Sequence, residues 1–221
     1  HSTSSAASDV YKRQALSRVK ETELPLIYLN RTGGQDELIF DGSSFALNHD
    51  GNKFFCSSEF KEEVSFIKFE KQNEKWVGSG NLNENTSEIE RLYKALVLGL
   101  RDYVNNNKFS GVVLGLSGGI DSALVAAIAT DAFGPEKVQA IMLPSPFTGK
   151  ESLNDAKDTA NFLKIKFSNL EINEAMKIID KTLGKFNGKN FSPGVTEENI
   201  QSRLRGLSVS YTHLTLPTTL S

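Results

Sequence analysis

Apolar residues run along this chain in two different rhythms. Between residues 24 and 84 they come as short runs broken by turn residues. Leu26–Asn30, Glu37–Asp41, Ser44–Leu47, Lys53–Ser57 and Val64–Phe69 each read as a strand. Asn48-His49-Asp50-Gly51-Asn52 lies between the third and fourth runs and signals a hairpin, because Asp-Gly supplies the positive φ of a tight turn. After Trp76 the polar stretch from Gly78 to Asn85 predicts a linker. The rhythm then changes to three and four. Ile89, Leu92, Tyr93, Leu96, Leu100 and Val104 line one face of a helix over about 88–104, capped by Thr86 or Ser87.

From there the pattern alternates. Val112–Leu116 is an unbroken apolar run, the mark of a strand buried on both faces. Ser117–Ser122 is a turn, and a helix from Ala123 meets its breaker at Gly134-Pro135. Lys137–Leu143 predicts a strand, Glu151–Leu163 a helix, Phe167–Ile172 a strand and Glu174–Leu183 a helix; another helix begins at Thr196–Gly206. Gly184–Gly194 reads as a mobile surface loop. The fold class is therefore α/β, with a parallel, doubly wound sheet whose sites fall at the carboxyl ends of the strands. Residues 1–14 and 208–221 carry no periodicity, so neither stretch, His1 and His213 included, is assigned an element or a function.

Composition narrows the partners. In 221 residues the net charge is −2, which gives no case for nucleic acid or a membrane surface. No apolar stretch approaches bilayer-spanning length. The one cysteine, Cys56, excludes an internal disulfide and agrees with a reducing, cytoplasmic setting. It lies in a strand with no positioned base, so it reads as a strand residue rather than a nucleophile. His49 reads as an exposed turn residue and Lys150 as a surface lysine.

The chemistry concentrates at Gly115-Leu116-Ser117-Gly118-Gly119-Ile120-Asp121-Ser122. A strand, a glycine turn and a helix start together aim unpaired backbone N–H groups and the positive end of a helix dipole at an anion. Glycines let phosphate oxygens approach the main chain. There is no Gly-Lys-Ser/Thr ending, and the spacing is not Gly-x-Gly-x-x-Gly, so two familiar phosphate loops are excluded. Asp121 is either a divalent-metal ligand beside phosphate or a carboxylate favoured by the helix dipole alone.

Ser-Gly-Gly-Ile-Asp-Ser resembles the pyrophosphate loop of the N-type ATP pyrophosphatases, which split ATP between its α and β phosphates. From Glu88 to Gly206 the motif order is similar to the synthetase domain of the glutamine-dependent NAD synthetases. Its carriers are the loop, Met142-Leu-Pro-Ser145, Glu151-Ser-Leu-Asn-Asp-Ala156 and Glu197-Glu-Asn-Ile-Gln-Ser-Arg-Leu-Arg-Gly206. Upstream, Pro25–Gly42, with its Gly33-Gly34-Gln35-Asp36-Glu37, resembles the end of that family's nitrilase-like αββα glutaminase domain. The resemblance implies that ATP adenylates the nicotinate carboxylate of deamido-NAD, and that ammonia, drawn from glutamine, displaces AMP. It assigns the loop residues and Leu143 to ATP and pyrophosphate, Asp121 to Mg²⁺, and Asn199 and Arg203 to deamido-NAD.

By the same resemblance residues 16–84 are the end of the glutaminase domain with a linker, and 85–206 are the first half of the synthetase domain. Residues 1–15 and 207–221, Ser/Ala-rich and Thr/Ser-rich, look like non-native tails, with genuine disordered tails as the other reading. No glutaminase catalytic residue falls within the chain, which is expected to be an internal fragment, inactive by itself, of a cytoplasmic homo-oligomeric parent. For Leu143 and Ser145 an ordinary strand-to-loop passage stays open, and for Asn199 and Arg203 a solvated helix face; Arg205, on another face, is set aside. Two other functions also stay open: a GMP synthetase or tRNA-thiolating relative, and a nucleotide binder without catalysis.

Overall fold

The computed structural model describes residues 3–83, 86–145, 148–187 and 195–215. The chain divides into two compact units, His1–Tyr103 and Val104–Ser221.

The first unit opens with helix α1 (Thr3–Thr22), followed by seven short strands: β1 (Leu26–Tyr28), β2 (Thr32–Gln35), β3 (Leu38–Asp41), β4 (Phe45–Leu47), β5 (Lys53–Cys56), β6 (Lys68–Gln72) and β7 (Lys75–Ser79). Helix α2 (Glu88–Asn106) comes next and runs across the division. Strands β1, β4 and β5 form an antiparallel sheet in that order; β2–β3 and β6–β7 are separate antiparallel hairpins. The β4–β5 hairpin turns as expected, with Gly51 at φ +85°. Ala15 and Val19, one helical turn apart on α1, bury against Phe45 and Leu47, and Tyr28 stacks on Phe45 with ring centroids 5.1 Å apart.

Several sequence expectations shift here. Helix α1 covers a stretch to which no element was assigned. Gly33 and Gly34, which fall between the first two expected strands, form β2 paired with β3. The strand expected over Val64–Phe69 begins only at Lys68, and the supposed linker from Gly78 starts inside β7. What joins β6 to β7 is a two-residue turn, Asn73-Glu74, with both φ values positive at 47° and 65°. Such a turn usually advertises itself with glycine; here only Asn73 hints at it. Phe69 edges onto Phe54 at 5.5 Å, and the Gly78 amide donates to Asn48 Oδ1 at 2.7 Å, which fastens the hairpin to β4–β5. His49 is half-buried rather than exposed, with Nδ1 shielded from solvent, and Cys56 is buried in β5.

The second unit is the parallel α/β part. Its elements are β8 (Val112–Gly115), α3 (Ile120–Phe133), a 3-10 turn (Pro135–Lys137), β9 (Val138–Met142), α4 (Lys150–Leu163), β10 (Lys166–Asn169), α5 (Asn173–Asn187) and α6 (Val195–Thr215). The sheet runs β10-β9-β8, all parallel, with Val113 opposite Gln139 and Phe167 opposite Ala140. Central β9 is buried on both faces, as its apolar run demands. Ile141 and Leu143 pack on one face with Ile172, Met176, Leu204 and Val209. Helices α3 and α4 also contact β9 and each other, and their Ala126, Ala129, Ala156 and Ala160 have no exposed surface.

Helix α5 continues to Asn187, so Gly184–Asn187 are helical, and the rest of the expected loop, residues 188–194, lies outside the described residues. Helix α6 runs on to Thr215 through residues to which no element was assigned, and its Val209 packs on the sheet core. His1 lies outside the described residues, and His213 falls within the backbone of α6. No helix among the described residues is long and apolar enough to cross a membrane.

Candidate functional site

The site begins where β8 ends. Leu116 is almost wholly buried and donates its amide to Ile141 O at 2.9 Å, so the chain leaves the sheet in register with the neighbouring strand. Two residues later it must reverse into α3. Gly118 makes that turn at φ +85°, a conformation L side chains adopt at a cost. It also lies against the first turn of α4. A Cβ at Gly118 would overlap the Ser152 carbonyl oxygen and come within 2.9 Å of Ser152 Cα.

The two hydroxyls shape the loop. Ser122 Oγ accepts from the Ser117 amide at 3.2 Å, donates to Gly119 O at 2.9 Å and lies 3.0 Å from Ser117 Oγ. Ser117 Oγ accepts a longer bond, 3.3 Å, from the Gly119 amide. Helix α3 starts three residues earlier than its composition suggests, so Ile120, Asp121 and Ser122 form its first turn. Their amides, and that of Gly118, donate to no acceptor among the described residues. Four unpaired N–H groups at the start of a 14-residue helix leave donors and the positive end of the helix dipole available to an anion. Asp121 is exposed in that first turn. Among the described residues no group of three or more His, Cys, Asp or Glu could hold a metal ion.

The structure thus brings Ser117 to Ser122 together in one hydrogen-bonded turn. Gly115, at the end of β8, is exposed with open space where a Cβ would stand; the Leu116 side chain belongs to the core. The other end of the site is the exit from β9. Leu143 is buried, and its carbonyl accepts from Arg205 Nε at 3.0 Å. Ser145 is buried too, and its amide donates to Thr148 Oγ1 at 2.9 Å.

Gln201 and Arg205, one turn apart on α6, reach this strand end. The Gln201 amide is placed with its oxygen toward Arg205, because the opposite placement sets donor against donor. That oxygen then accepts from Arg205 Nη1 at 3.1 Å, Arg205 Nη2 at 2.6 Å and Ser145 Oγ at 2.7 Å. Asn199 and Arg203 are exposed, and at 100° per residue they fall on the side of α6 opposite Gln201 and Arg205. The pair expected at the site, Asn199 and Arg203, faces away from this strand end, and Arg205, not expected there, reaches it. The available signal was the four-residue spacing of Gln201 and Arg205, which puts an amide and a guanidinium on one face.

Comparison with known proteins bears on this geometry. A family model described as NAD synthase matches residues 92–217. The chain is 45% identical over 200 residues to a glutamine-dependent NAD(+) synthetase of Rhodobacter capsulatus, covering 90% of the chain and 36% of the relative. To the enzyme of the same name from Acinetobacter baylyi it is 46% identical over 189 residues, covering 85% of the chain and 34% of the relative. Among solved structures, the glutamine-dependent NAD+ synthetase of Acinetobacter baumannii in complex with ADP superposes with a TM-score of 0.84 at 38% identity, covering 92% of this chain and 38% of that one. The chain spans about a third of the length of these curated relatives.

Proposed function

The chain belongs to the NAD synthase family, and on that premise we propose that its second unit binds ATP for the amidation of deamido-NAD to NAD. The observation that carries the reading is the set of unpaired amides at Gly118, Ile120, Asp121 and Ser122, held open by the Ser117–Ser122 hydroxyl pair. A carboxylate is a poor electrophile, so nitrogen cannot displace its oxygen until that oxygen becomes part of a leaving group. Adenylation supplies one, with AMP as the group that ammonia later displaces. The charge that develops in the first step falls on departing pyrophosphate, and fixed N–H donors aimed at it stabilise that charge without reorganising.

Mg²⁺ fits the donor set. One exposed carboxylate, with phosphate oxygens and waters completing the octahedron, is how this ion is ordinarily held. Asp121 would be the protein ligand, and the ion when bound would offset charge on the pyrophosphate. In this proposal Leu143 lies on the adenosine side, while Asn199 and Arg203 meet deamido-NAD from their exposed face of α6. In the whole protein glutamine supplies the ammonia, residues 16–84 end the glutaminase domain and 85–206 begin the synthetase domain. The assembly is a cytoplasmic homo-oligomer. Identity near 45% to enzymes named for NAD synthesis favours this reading over a GMP synthetase or a tRNA-thiolating enzyme.

Calorimetric titration of the chain with ATP tests it. Binding is expected in the presence of Mg²⁺, and Asp121→Ala or removal of the ion should weaken it on the order of tenfold, the size of one charge-assisted contact. Absence of binding at millimolar Mg·ATP would overturn the proposal.

A further inference from the structure

Arg205 is a partly buried cation whose donors all meet neutral groups. Its hydrogen bonds go to the Leu143 carbonyl at 3.0 Å, the Gln201 amide oxygen and, at 3.5 Å, Thr148 Oγ1. No carboxylate pairs with it among the described residues, and burial alone lowers its pKa. Burying a guanidinium opposite neutral acceptors is costly, and methionine or leucine would fill the same space at less expense. Packing therefore does not account for an arginine here.

What it holds does account for it. The Leu143 carbonyl, the Ser145 hydroxyl (through Gln201) and the Thr148 hydroxyl are gathered round one guanidinium that comes from more than fifty residues further along the chain. All three belong to the exit of β9. That strand lies beside β8, about 4.8 Å away, and β8 carries the anion loop at the same end. The exit of β9 is therefore within one nucleotide's length of the loop, near enough for a nucleotide whose phosphates rest on the loop to lay its nucleoside against it.

We infer that Arg205 is a positioning residue for ATP: its hydrogen bonds hold Leu143, Ser145 and Thr148 in the form that receives the nucleoside part of the nucleotide. The inference rests on the ATP reading given under Proposed function. It separates two parts of one ligand, because pyrophosphate needs only the loop whereas ATP needs the loop and the β9 exit.

The test titrates the purified chain with Mg·ATP and, separately, with Mg·pyrophosphate. Arg205→Met should weaken ATP binding on the order of tenfold and leave pyrophosphate within about twofold. Arg205→Gln keeps an N–H donor for the Leu143 carbonyl and should recover part of the loss. A role in folding alone would lower the melting temperature yet leave the ATP-to-pyrophosphate affinity ratio unchanged, which overturns the inference. So does an equal loss for both ligands. Should Arg205→Met fail to melt cooperatively by circular dichroism, the ratio is read on Arg205→Gln and Thr148→Ala, and an unchanged ratio there counts against it. A wild-type chain that binds pyrophosphate but not ATP removes this inference and leaves the anion loop standing. Binding of neither ligand removes the ATP reading, and this inference with it.

Discussion

Replacing Gly118 with alanine is expected to abolish measurable Mg·ATP binding by this chain. Two independent strains coincide at that residue. Its φ of +85° costs an alanine about 1–2 kcal/mol. The added methyl would also overlap the Ser152 carbonyl oxygen, which is backbone in the first turn of α4 and cannot swing away as a side chain would. Relief requires α4 to withdraw or the loop to flatten, and either change displaces the amides of Ile120 and Asp121. A combined destabilisation of about 3 kcal/mol is expected from the strain and overpacking together. Affinity should fall by about a hundredfold or more, because several donors are displaced at once.

Gly119→Ala is the control. Its φ of −85° suits any residue, and the nearest contact of its Cβ would be Ser117 Oγ at 3.4 Å. It should keep the wild-type melting temperature. Equal thermal losses for the two variants would refute the close-approach argument.

In the first unit the largest single loss is expected from Arg91→Met. The Glu59 side chain is only 6% exposed; Arg91 Nε lies 2.9 Å from its Oε1, and Arg91 Nη2 lies 3.2 Å from Asp41 Oδ2. The Thr86 hydroxyl and amide also reach Glu59, but they supply no charge. Without the guanidinium a nearly buried carboxylate faces two neutral donors, which costs about 3 kcal/mol by comparison with other broken buried pairs. Trp76 is the one tryptophan of the chain and stands on β7 in the same unit, so its fluorescence in a urea titration reads this loss directly. Adding Glu59→Gln to the variant should restore part of the stability. A loss below about 1 kcal/mol would mean that solvent already screens Glu59.

The turn from β8 into α3 was legible in the sequence because every signal for it is local. Val112–Leu116 read as a strand covered on both faces; a strand forms there over Val112–Gly115, but at the edge of the described sheet, where only Leu114 is buried, and two glycines followed by an alanine-rich run turn into a helix as expected. The hairpin at Asp50-Gly51 was equally open to reading, since one dipeptide carries the positive φ. Less of the rest could be read. Asn73-Glu74 makes its turn without glycine, and Gly33-Gly34, poor strand formers by themselves, pair with Phe40 and Ile39 of β3 while the Gly34 amide donates to Asp102 at 2.6 Å across 68 residues. Helix α2 shows the same limit. Its apolar stripe was found, yet Ile89 and Leu92 on that stripe are largely exposed and Val104 alone is fully buried.

The sequence by itself determined the β8–loop–α3 turn, the alternation of strand and helix that follows it, and the family likeness these carry. Each depends on residues within a few positions of one another, where φ preference and hydrophobic period act directly. Only contacts made in the folded chain require glycine at Gly118 for want of space beside Ser152, present Arg205 rather than Arg203 of α6 to the exit of β9, and pack Val209 against the sheet core. The facing partner in each case lies more than thirty residues away, and the cost of a clash or a buried charge exists only once the chain has closed that distance.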